Sequence, residues 1–389
     1  MTPISSTATD GSEIHPFTVD IPQAQIDDLR ARLGNTRWPD ELPDVGWFYG
    51  VPTSYLRGLA RYWSDDFDWR AQEARINELP QFVTEVDGQQ VHFLHVRSPE
   101  ADALPLVVVH GWPGSFVEFL DLAGPLTDPA AHGGDPADAF HLVIPSLPGF
   151  GFSGPTRQAG DTERYPQVVA ELMARLDYDR YGTQGGDVGA WVGPDVGRLV
   201  PDRVVGVHVN ALLAFPAWDG SDDGQDWTEV EQARLAHIER WNAEEAGYLQ
   251  IQSTRPQTLA FGLTDSPAGQ LAWIVEKFRA WTDPAKELPE DAVDRDQLLT
   301  NVSLYWFTAT AGPSARLYRE SGHWGDERKP SGVPTGVAVF PADVTIRRLA
   351  EREHDIVHWS EFDRGGHFAA MEAPDLLIDD VRAFFRTLR

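Results

Sequence analysis

The chain has 389 residues, of which 42% are hydrophobic and 24% are charged, and its formal net charge at pH 7 is −28. This apolar content is enough to bury a sizeable core, and the length fits one large domain with insertions or two domains. The absence of cysteine excludes disulfides, thiolate metal sites and cysteine nucleophiles. The negative charge is spread along the chain, which argues against nucleic acid, anionic membranes and anionic substrates as partners.

The sequence shows no targeting or membrane-spanning segment. Residues 1–11 are rich in Ser and Thr and lack the basic and apolar regions of a signal peptide. No apolar run approaches the roughly 18 residues that a membrane-spanning helix needs. Together with the missing cysteines, these features predict a soluble cytoplasmic protein.

Residues 1–95 are predicted to form a helical segment and a hairpin that pack on a larger core. Ile26, Leu29 and Leu33 recur at helical spacing and Gly34 follows as a stop signal, which predicts an amphipathic helix. The helix is followed by a dense run of aromatic side chains. Such a density is typical of a segment that packs against another domain.

Strand patterns begin with a hairpin and continue as short apolar runs. Residues 82–86 and 91–96 are rich in β-formers around the turn dipeptide Asp87-Gly88, which predicts the hairpin. Runs that are apolar on both faces then alternate with helical runs, which implies a mostly parallel sheet covered by helices on both faces, an α/β fold. The predicted strands are 104–109, 140–144, 204–209, 336–340 and 356–359, and the predicted helices are 116–126, 168–176 and 374–388.

A helical insertion is predicted to divide this core. The core halves are residues 96–210 and 334–389, and residues 211–333 lose the strand alternation and read as an inserted cap. Aromatic residues are frequent in the cap, among them Trp218, Trp227, Trp241, Tyr248, Trp273, Phe278, Trp281, Tyr305, Trp306, Phe307 and Tyr318. Ligands of parallel sheets bind at the carboxyl ends of the strands, where a cap would cover them.

The stretch around Asp187 is the first candidate for chemistry. Gly185, Gly186 and Gly189 surround it between a predicted strand and the helical run that follows, as a sharp strand-to-helix turn requires. One interpretation is a nucleophile elbow whose nucleophile is an ionised, exposed aspartate at a helix N-terminus. The other is an ordinary helix N-cap, and the stretch alone does not decide between them.

A second glycine-rich turn follows the first parallel strand, at His110 to Ser115. Its backbone amides could form an oxyanion hole, with the N–H groups of Trp112 and Val188 as donors. The alternative is a plain strand-to-helix turn, which explains the glycines but not why the turn precedes the elbow.

The last candidates lie near the end of the chain. His367 stands in a glycine-rich loop before the final helix, where hydrolases with this strand pattern place the histidine. The acid that orients it is expected at the end of the preceding strand, which points to Asp343. Asp355, Glu361 and Asp363 are nearby in sequence but lie in or beyond the following strand.

These motifs together resemble epoxide hydrolases of the microsomal and juvenile-hormone type, over nearly the whole chain from residue 14. The resemblance implies an α/β-hydrolase fold with an N-terminal segment and a cap, without the membrane anchor of that family. The motifs are Pro16 to Pro22, Arg37-Trp38-Pro39, His110-Gly-Trp-Pro-Gly-Ser115, Pro145-Ser-Leu-Pro-Gly-Phe-Gly-Phe-Ser-Gly154, Gly185-Gly-Asp-Val-Gly189, Leu299-Thr-Asn-Val302, Phe340-Pro-Ala-Asp343 and Arg364-Gly-Gly-His-Phe368.

The resemblance also implies roles for individual residues. Asp187 attacks an epoxide carbon, while Tyr248 and Tyr318 of the cap bind and protonate the epoxide oxygen. His367, oriented by Asp343, then activates the water that hydrolyses the ester. The residue types suit these roles, because a carboxylate with a reference pKa of ~3.9 is ionised at pH 7 and a tyrosine with a reference pKa of ~10 keeps its proton. The alternative for the tyrosines is that they are two cap aromatics among many.

One position departs from the family. Val188 follows the nucleophile where the family commonly carries tryptophan, and the change predicts a roomier pocket. Trp112, Val188 and Phe368 are the expected substrate-binding residues.

Three other functions share parts of this pattern. A haloalkane dehalogenase also uses an aspartate nucleophile, but it holds halide with an asparagine and a tryptophan side chain at the positions of Trp112 and Val188. An esterase would need serine at the elbow, and Ser115 lies in the other turn. A non-catalytic binding protein of the same fold would bind an epoxide or diol without turnover.

The resemblance implies a small-molecule epoxide as substrate and requires no metal or organic cofactor. The aromatic cap favours an apolar epoxide. Detoxification and natural-product pathways, including enediyne assembly, both fit, and the oligomeric state is open, with a homodimer as a working assumption.

Overall fold

Nine strands of the described chain form one mixed sheet at the centre of the molecule. The computed structural model describes residues 13–214, 216, 222, 226–321 and 329–389. The strands are β1 (His15–Phe17), β2 (Gln81–Val86), β3 (Gln89–Val96), β4 (Leu104–Val109), β5 (Phe140–Pro145), β6 (Tyr181–Gly186), β7 (Val204–Asn210), β8 (Pro334–Val339) and β9 (Asp355–Glu361).

The strand order is β1-β2-β3-β5-β4-β6-β7-β8-β9. Strands β4 to β9 pair in parallel, and β1, β2 and β3 add an antiparallel edge beside β5. The register aligns Val109 with Gly185, and Gly186 with Asn210. The carboxyl ends of β4, β6 and β7 therefore lie side by side, as the α/β prediction requires.

Sixteen α-helices are present in the described part of the chain. They are α1 (Gln23–Gly34), α2 (Thr53–Asp65), α3 (Trp69–Ile76), α4 (Leu120–Thr127), α5 (Tyr165–Arg175), α6 (Val188–Leu199), α7 (Glu229–Arg240), α8 (Gly247–Thr254), α9 (Pro256–Asp265), α10 (Pro267–Trp281), α11 (Pro289–Ala292), α12 (Arg295–Thr308), α13 (Ala311–Glu320), α14 (Arg347–Ala350), α15 (Ala369–Glu372) and α16 (Pro374–Phe385). None of these helices is long and apolar enough to span a bilayer.

Most predicted elements are present, with small shifts at their ends. The predicted helix at 116–126 is a 3₁₀ turn, Phe116–Phe119, followed by α4. Strand β1 was not predicted. It has three residues and exists because it pairs with β2, His15 opposite Val83, so its cause lies outside its own sequence.

The aromatic-rich stretch near the N-terminus packs on helices α11 and α12. In α2, Trp63 Nε1 donates to Ser303 Oγ at 2.8 Å, and the Tyr62 hydroxyl donates to Asp296 Oδ1 at 2.8 Å. Trp63 is 2% exposed, and the bond to Ser303 satisfies the N–H group of its buried indole. The dense aromatics therefore join the N-terminal segment to the helices above the sheet.

Helices α7 to α13 lie between β7 and β8 in the chain and cover the carboxyl ends of the strands. We call them the cap helices. In α12, Asn301 Nδ2 donates to the Pro113 carbonyl at 2.8 Å and the Tyr305 hydroxyl donates to the Gly114 carbonyl at 2.7 Å. These bonds attach the cap to the turn after β4. Trp218, predicted within the cap, and residues 1–12 lie outside the described residues.

Candidate active site

Asp187 occupies a strained turn between β6 and α6. Its φ is 54° and its ψ is −116°, a conformation that a residue with a side chain rarely adopts. The strain is of order 1–3 kcal/mol, so it persists only where the surroundings hold it. Close packing does so here, because a Cβ on Gly189 would overlap the carbonyl of Val109 and one on Gly185 would lie 2.7 Å from the Cα of Gly189.

The Asp187 side chain is an elbow carboxylate and not a helix cap. It makes no capping bond with α6. Instead, the Trp112 backbone N–H donates to Asp187 Oδ1 at 2.9 Å, which brings the two predicted turns together. The other expected donor, the Val188 amide, makes no hydrogen bond with Asp187 in the described chain. The structure thus brings one of the two predicted amide donors onto the carboxylate.

The carboxylate is more enclosed than the sequence predicted. We expected Asp187 to be exposed, but its side chain is only 16% exposed. The reason is the cap: Trp112 beside it stacks on Tyr248 of α8 with ring centroids 5.2 Å apart. His367 Nε2 approaches from the other side, 3.5 Å from Asp187 Oδ2.

His367 lies in the loop between β9 and α15, after the buried Gly365 and Gly366. Its backbone N–H donates to the carbonyl of Trp281 in α10 at 2.9 Å, and the two rings lie 4.9 Å apart. Burial lowers the pKa of His367 below its usual value, and the nearby Asp187 carboxylate opposes this only in part. A neutral imidazole next to a carboxylate is suited to accept a proton.

Asp343 lies after β8, as predicted, but its carboxyl bonds to backbone amides. It accepts the Phe340 N–H at 2.8 Å and the Ala211 N–H, and burial raises its pKa to about 7. It forms no hydrogen bond with His367 among the described residues. The expected contact between acid and histidine is therefore not made in this conformation.

Two further carboxyls that the sequence did not single out support the histidine loop. Glu372 in α15 accepts the backbone N–H of Phe368 at 3.0 Å and that of Asp283 at 2.7 Å. Asp283 in turn accepts the Gly365 N–H at 3.0 Å. Burial raises the pKa of Glu372 to about 8, and the negative charges of Asp283 and Asp343 add to the effect. In the sequence, the one feature that points to Glu372 is its position five residues after His367.

Tyr248 of α8 and Tyr318 of α13 lie next to each other above Trp112. Their ring centroids are 5.6 Å apart at 86°, and their hydroxyl groups are hydrogen-bonded to each other. Burial and the charge of Asp187 raise the pKa of Tyr248, and the bond with Tyr318 lowers it. Both phenols therefore keep their protons at neutral pH.

The sequence also did not single out a lysine that packs over the face of the Tyr248 ring. Lys277 in α10 is 1% exposed, and its Nζ lies 4.4 Å from the Tyr248 ring centroid. Glu276 and Glu245 balance its charge at 3.1 and 3.9 Å. A buried cation over an aromatic face fixes that ring and favours negative charge on it.

A cavity adjoins Asp187 on the side formed by the core. Its lining does not include Tyr248 or Tyr318, nor the side chain of Val188, which is 1% exposed and packed in the core. The valine therefore adds no room to this cavity, and its burial lends no support to the roomier pocket expected from its replacement of tryptophan. Phe368 does border the cavity, stacked on Phe278 with centroids 4.0 Å apart.

Comparison with known proteins gives one consistent result. Residues 14–119 match the family model described as Epoxide hydrolase N terminus, and residues 105–254 match the one described as alpha/beta hydrolase fold. Epoxide hydrolase 1 of Sus scrofa is 35% identical over 410 residues, which cover 98% of this chain and 90% of that protein.

Solved structures agree. The structure of Aspergillus niger epoxide hydrolase matches with a TM-score of 0.85 at 34% identity over 97% of each chain. That of the juvenile hormone epoxide hydrolase from the silkworm Bombyx mori matches with a TM-score of 0.85 at 32% identity, over 97% of this chain and 95% of that one.

Proposed function

The chain belongs to the epoxide hydrolase family, and from this we propose that it opens its epoxide through a covalent ester on Asp187. Its substrate is a small-molecule epoxide and its product the vicinal diol. The observation that carries the proposal is the position of the Asp187 carboxylate, between the Trp112 amide and the His367 imidazole and below the paired cap tyrosines.

In the first half-reaction Asp187 Oδ2 attacks an epoxide carbon. A new C–O bond forms as the strained C–O bond of the ring breaks, and the ring oxygen takes the proton of Tyr248. The hydrogen bond from Tyr318 stabilises the phenolate left behind, as does the nearby Lys277 ammonium. The product is a hydroxyalkyl ester of Asp187.

In the second half-reaction water gives a proton to His367 Nε2 and its oxygen bonds to Cγ of Asp187. Oδ1 becomes the tetrahedral oxyanion, stabilised by the Trp112 amide. Collapse expels the alkoxide, which contains the former Oδ2 and takes the proton from His367. The new carboxyl group returns its proton to Tyr248, so epoxide and water become diol with no change in the enzyme.

In this scheme Asp343 has a supporting role. It would orient His367 once the loop or the Asp343 side chain shifts from its present contacts with backbone amides. Val188 would supply its amide to the oxyanion as the second donor.

The substrate class we propose is an apolar, uncharged epoxide, because Trp112, Tyr248 and Trp281 pack around the nucleophile. The biological setting we propose for this activity is detoxification or natural-product synthesis. A cytoplasmic location and a homodimeric assembly remain proposals from the sequence, and light scattering coupled to size exclusion tests the second.

The test is isotopic. Wild-type protein in excess over styrene oxide is allowed a single turnover in H₂¹⁸O, and diol and protein are analysed by mass spectrometry. We expect ¹⁸O in the peptide that contains Asp187 and unlabelled oxygen in the diol of the first turnover. Asp187→Ala should form no diol. Label in the first-turnover diol with an unlabelled protein would mean direct attack by water and would refute the ester.

A further inference from the structure

Two carboxyl groups lie against the glycine-rich turn after β4. A Cβ on Gly111 would overlap the carboxylate of Asp187, and a Cβ on Gly114 would overlap Oε1 of Glu118. The two glycines thus make room for two acids on one turn. The mechanism uses Asp187 and leaves Glu118 without a role.

The carboxyl group of Glu118 lies in an unusual environment. Glu118 is 8% exposed, and its carboxyl receives one hydrogen bond from the described residues, from the backbone N–H of Ser115. Arginine, lysine and histidine side chains of the described chain form no ion pair with it. A buried carboxyl with so little compensation destabilises the fold, so its presence calls for a functional reason.

Glu118 borders the same cavity as Asp187 and His367. The rest of the lining comes from the core, from Phe119 in the 3₁₀ turn, Asn210 at the end of β7 and Leu377 in α16. The cap tyrosines, which face the epoxide in the proposed reaction, do not border it. One space thus reaches the nucleophile, the base and Glu118 from the side away from the cap.

The second half-reaction needs a water molecule in such a space. The ester carbon must be attacked from a point that His367 Nε2 also reaches, while the hydroxyalkyl group occupies the cap side. A buried water needs two to four polar partners to stay in place. His367 supplies one, and the other polar side chains on the lining are His110, Glu118, Asp187 and Asn210, whose Oδ1 already accepts from Gln184 Nε2 at 3.0 Å.

His110 is not available for this purpose. Its Nε2 accepts the Leu147 N–H at 3.2 Å and its Nδ1 lies 3.1 Å from the Gly111 carbonyl, so both nitrogens are occupied. Glu118 has spare capacity. Burial, and secondarily the charge of Asp187, raise its pKa to about 8, so at neutral pH it is mainly a carboxylic acid that can both donate and accept.

We propose that Glu118 is a positioning residue that holds the hydrolytic water in the core-side cavity, beside the Asp187 ester and within reach of His367. The inference rests on the covalent ester of the proposed function. Glu118 exchanges no proton overall: the water proton goes to His367 and the water oxygen bonds to Cγ of Asp187.

The experiment separates the two half-reactions. Wild type, Glu118→Ala, Glu118→Gln and His367→Gln are each mixed with styrene oxide and quenched between milliseconds and minutes, and the ester on the Asp187 peptide is measured by mass. For Glu118→Ala we expect ester formation within about threefold of wild type and ester hydrolysis about 100-fold slower, so the ester accumulates. The amide of Glu118→Gln keeps a donor and an acceptor, so this variant should hydrolyse the ester at least about tenfold faster than Glu118→Ala.

Glu73→Gln is the matched control. Glu73 is also 8% exposed, but it bonds to Ile21 and Trp69 in the N-terminal segment. Glu73→Gln should lower the melting temperature and leave the rates of both half-reactions unchanged. The comparison shows whether a slower reaction in the Glu118 variants comes from lost stability or from lost positioning of the water.

The outcomes of this experiment also distinguish the inference from the proposed function. If His367→Gln accumulates the ester while Glu118→Ala hydrolyses it as fast as wild type, Glu118 has no positioning role although the ester mechanism stands. If Glu118→Ala slows both half-reactions equally, or Glu118→Gln is no better than Glu118→Ala, the positioning role is also wrong. If no variant forms the ester, the mechanism and the inference fall together.

Discussion

Gly111 Cα lies directly against the carboxyl group of Asp187: a Cβ at Gly111 would be 2.7 Å from Cγ of Asp187 and would overlap its Oδ1. The two residues are 76 positions apart and meet because β4 and β6 are adjacent in the sheet. The strained elbow is therefore supported from the neighbouring turn, and the glycine is needed for space.

Gly111→Ala should abolish most activity while the fold survives. The methyl group would push the carboxylate from the Trp112 amide, and we expect kcat/KM for epoxide hydrolysis to fall by about 100-fold or more, since misplacement by about 1 Å costs this much. Gly262→Ala in α9 is the matched control, because its Cβ meets nothing within 4 Å. Equal activity of both variants would show that the contact is not needed.

The two cap tyrosines should contribute unequally. In the proposed reaction the proton of Tyr248 goes to the epoxide, while Tyr318 acts through its hydrogen bond with Tyr248. Under single turnover, Tyr248→Phe should slow ester formation by about 100-fold and Tyr318→Phe by about tenfold, with ester hydrolysis little changed. Tyr55→Phe, which loses a bond to Glu290 far from the site, is the control. A larger effect at Tyr318 would reverse the assignment.

Stability should fall as the pH rises from 6.5 to 8. The pKa values of Glu118, Glu372 and Asp343 are raised to about 8, 8 and 7 by burial. In this window the folded state still holds protons that the unfolded chain, with carboxyl pKa values of about 4, has lost. Raising the pH therefore favours unfolding, by at most about 1.4 kcal/mol per group and pH unit.

Melting temperatures measured at pH 6.5 and 8 test this sign. Glu118→Gln removes one of the three groups, so its melting temperature should depend less on pH than that of wild type. A melting temperature that rises across this range in wild type would show that these carboxyls are ionised in the fold.

Val188→Trp should cost stability and leave the choice of substrate unchanged. The Val188 side chain is 1% exposed and packed in the core, so an indole there overpacks it by about 1–3 kcal/mol. Val230→Trp, at a position 56% exposed, should melt as wild type does. A changed preference between small and bulky epoxides in Val188→Trp would restore the interpretation made from the sequence, that this residue shapes the pocket.

Local patterns explain what could be predicted. The hairpin around Asp87-Gly88, the apolar strands and the glycines at the elbow are recognisable because turn sterics and strand packing act over a few residues. Strand β1 has no such signal, because three residues become a strand only through pairing with β2. The enclosure of Asp187 was missed for the same reason, since the covering rings come from α8 and α10.

The sequence by itself determined the fold, the family and the order of the motifs that carry Asp187, Asp343 and His367. Only the tertiary structure decided which groups touch: that the Trp112 amide reaches Asp187, that Asp343 bonds to backbone amides, and that Glu118 adjoins the cavity of the nucleophile. The physical reason is the distance along the chain over which each effect acts. Backbone preferences are set by neighbours in the chain, whereas a hydrogen bond requires placement within a few tenths of an ångström between residues that only the folded sheet brings together.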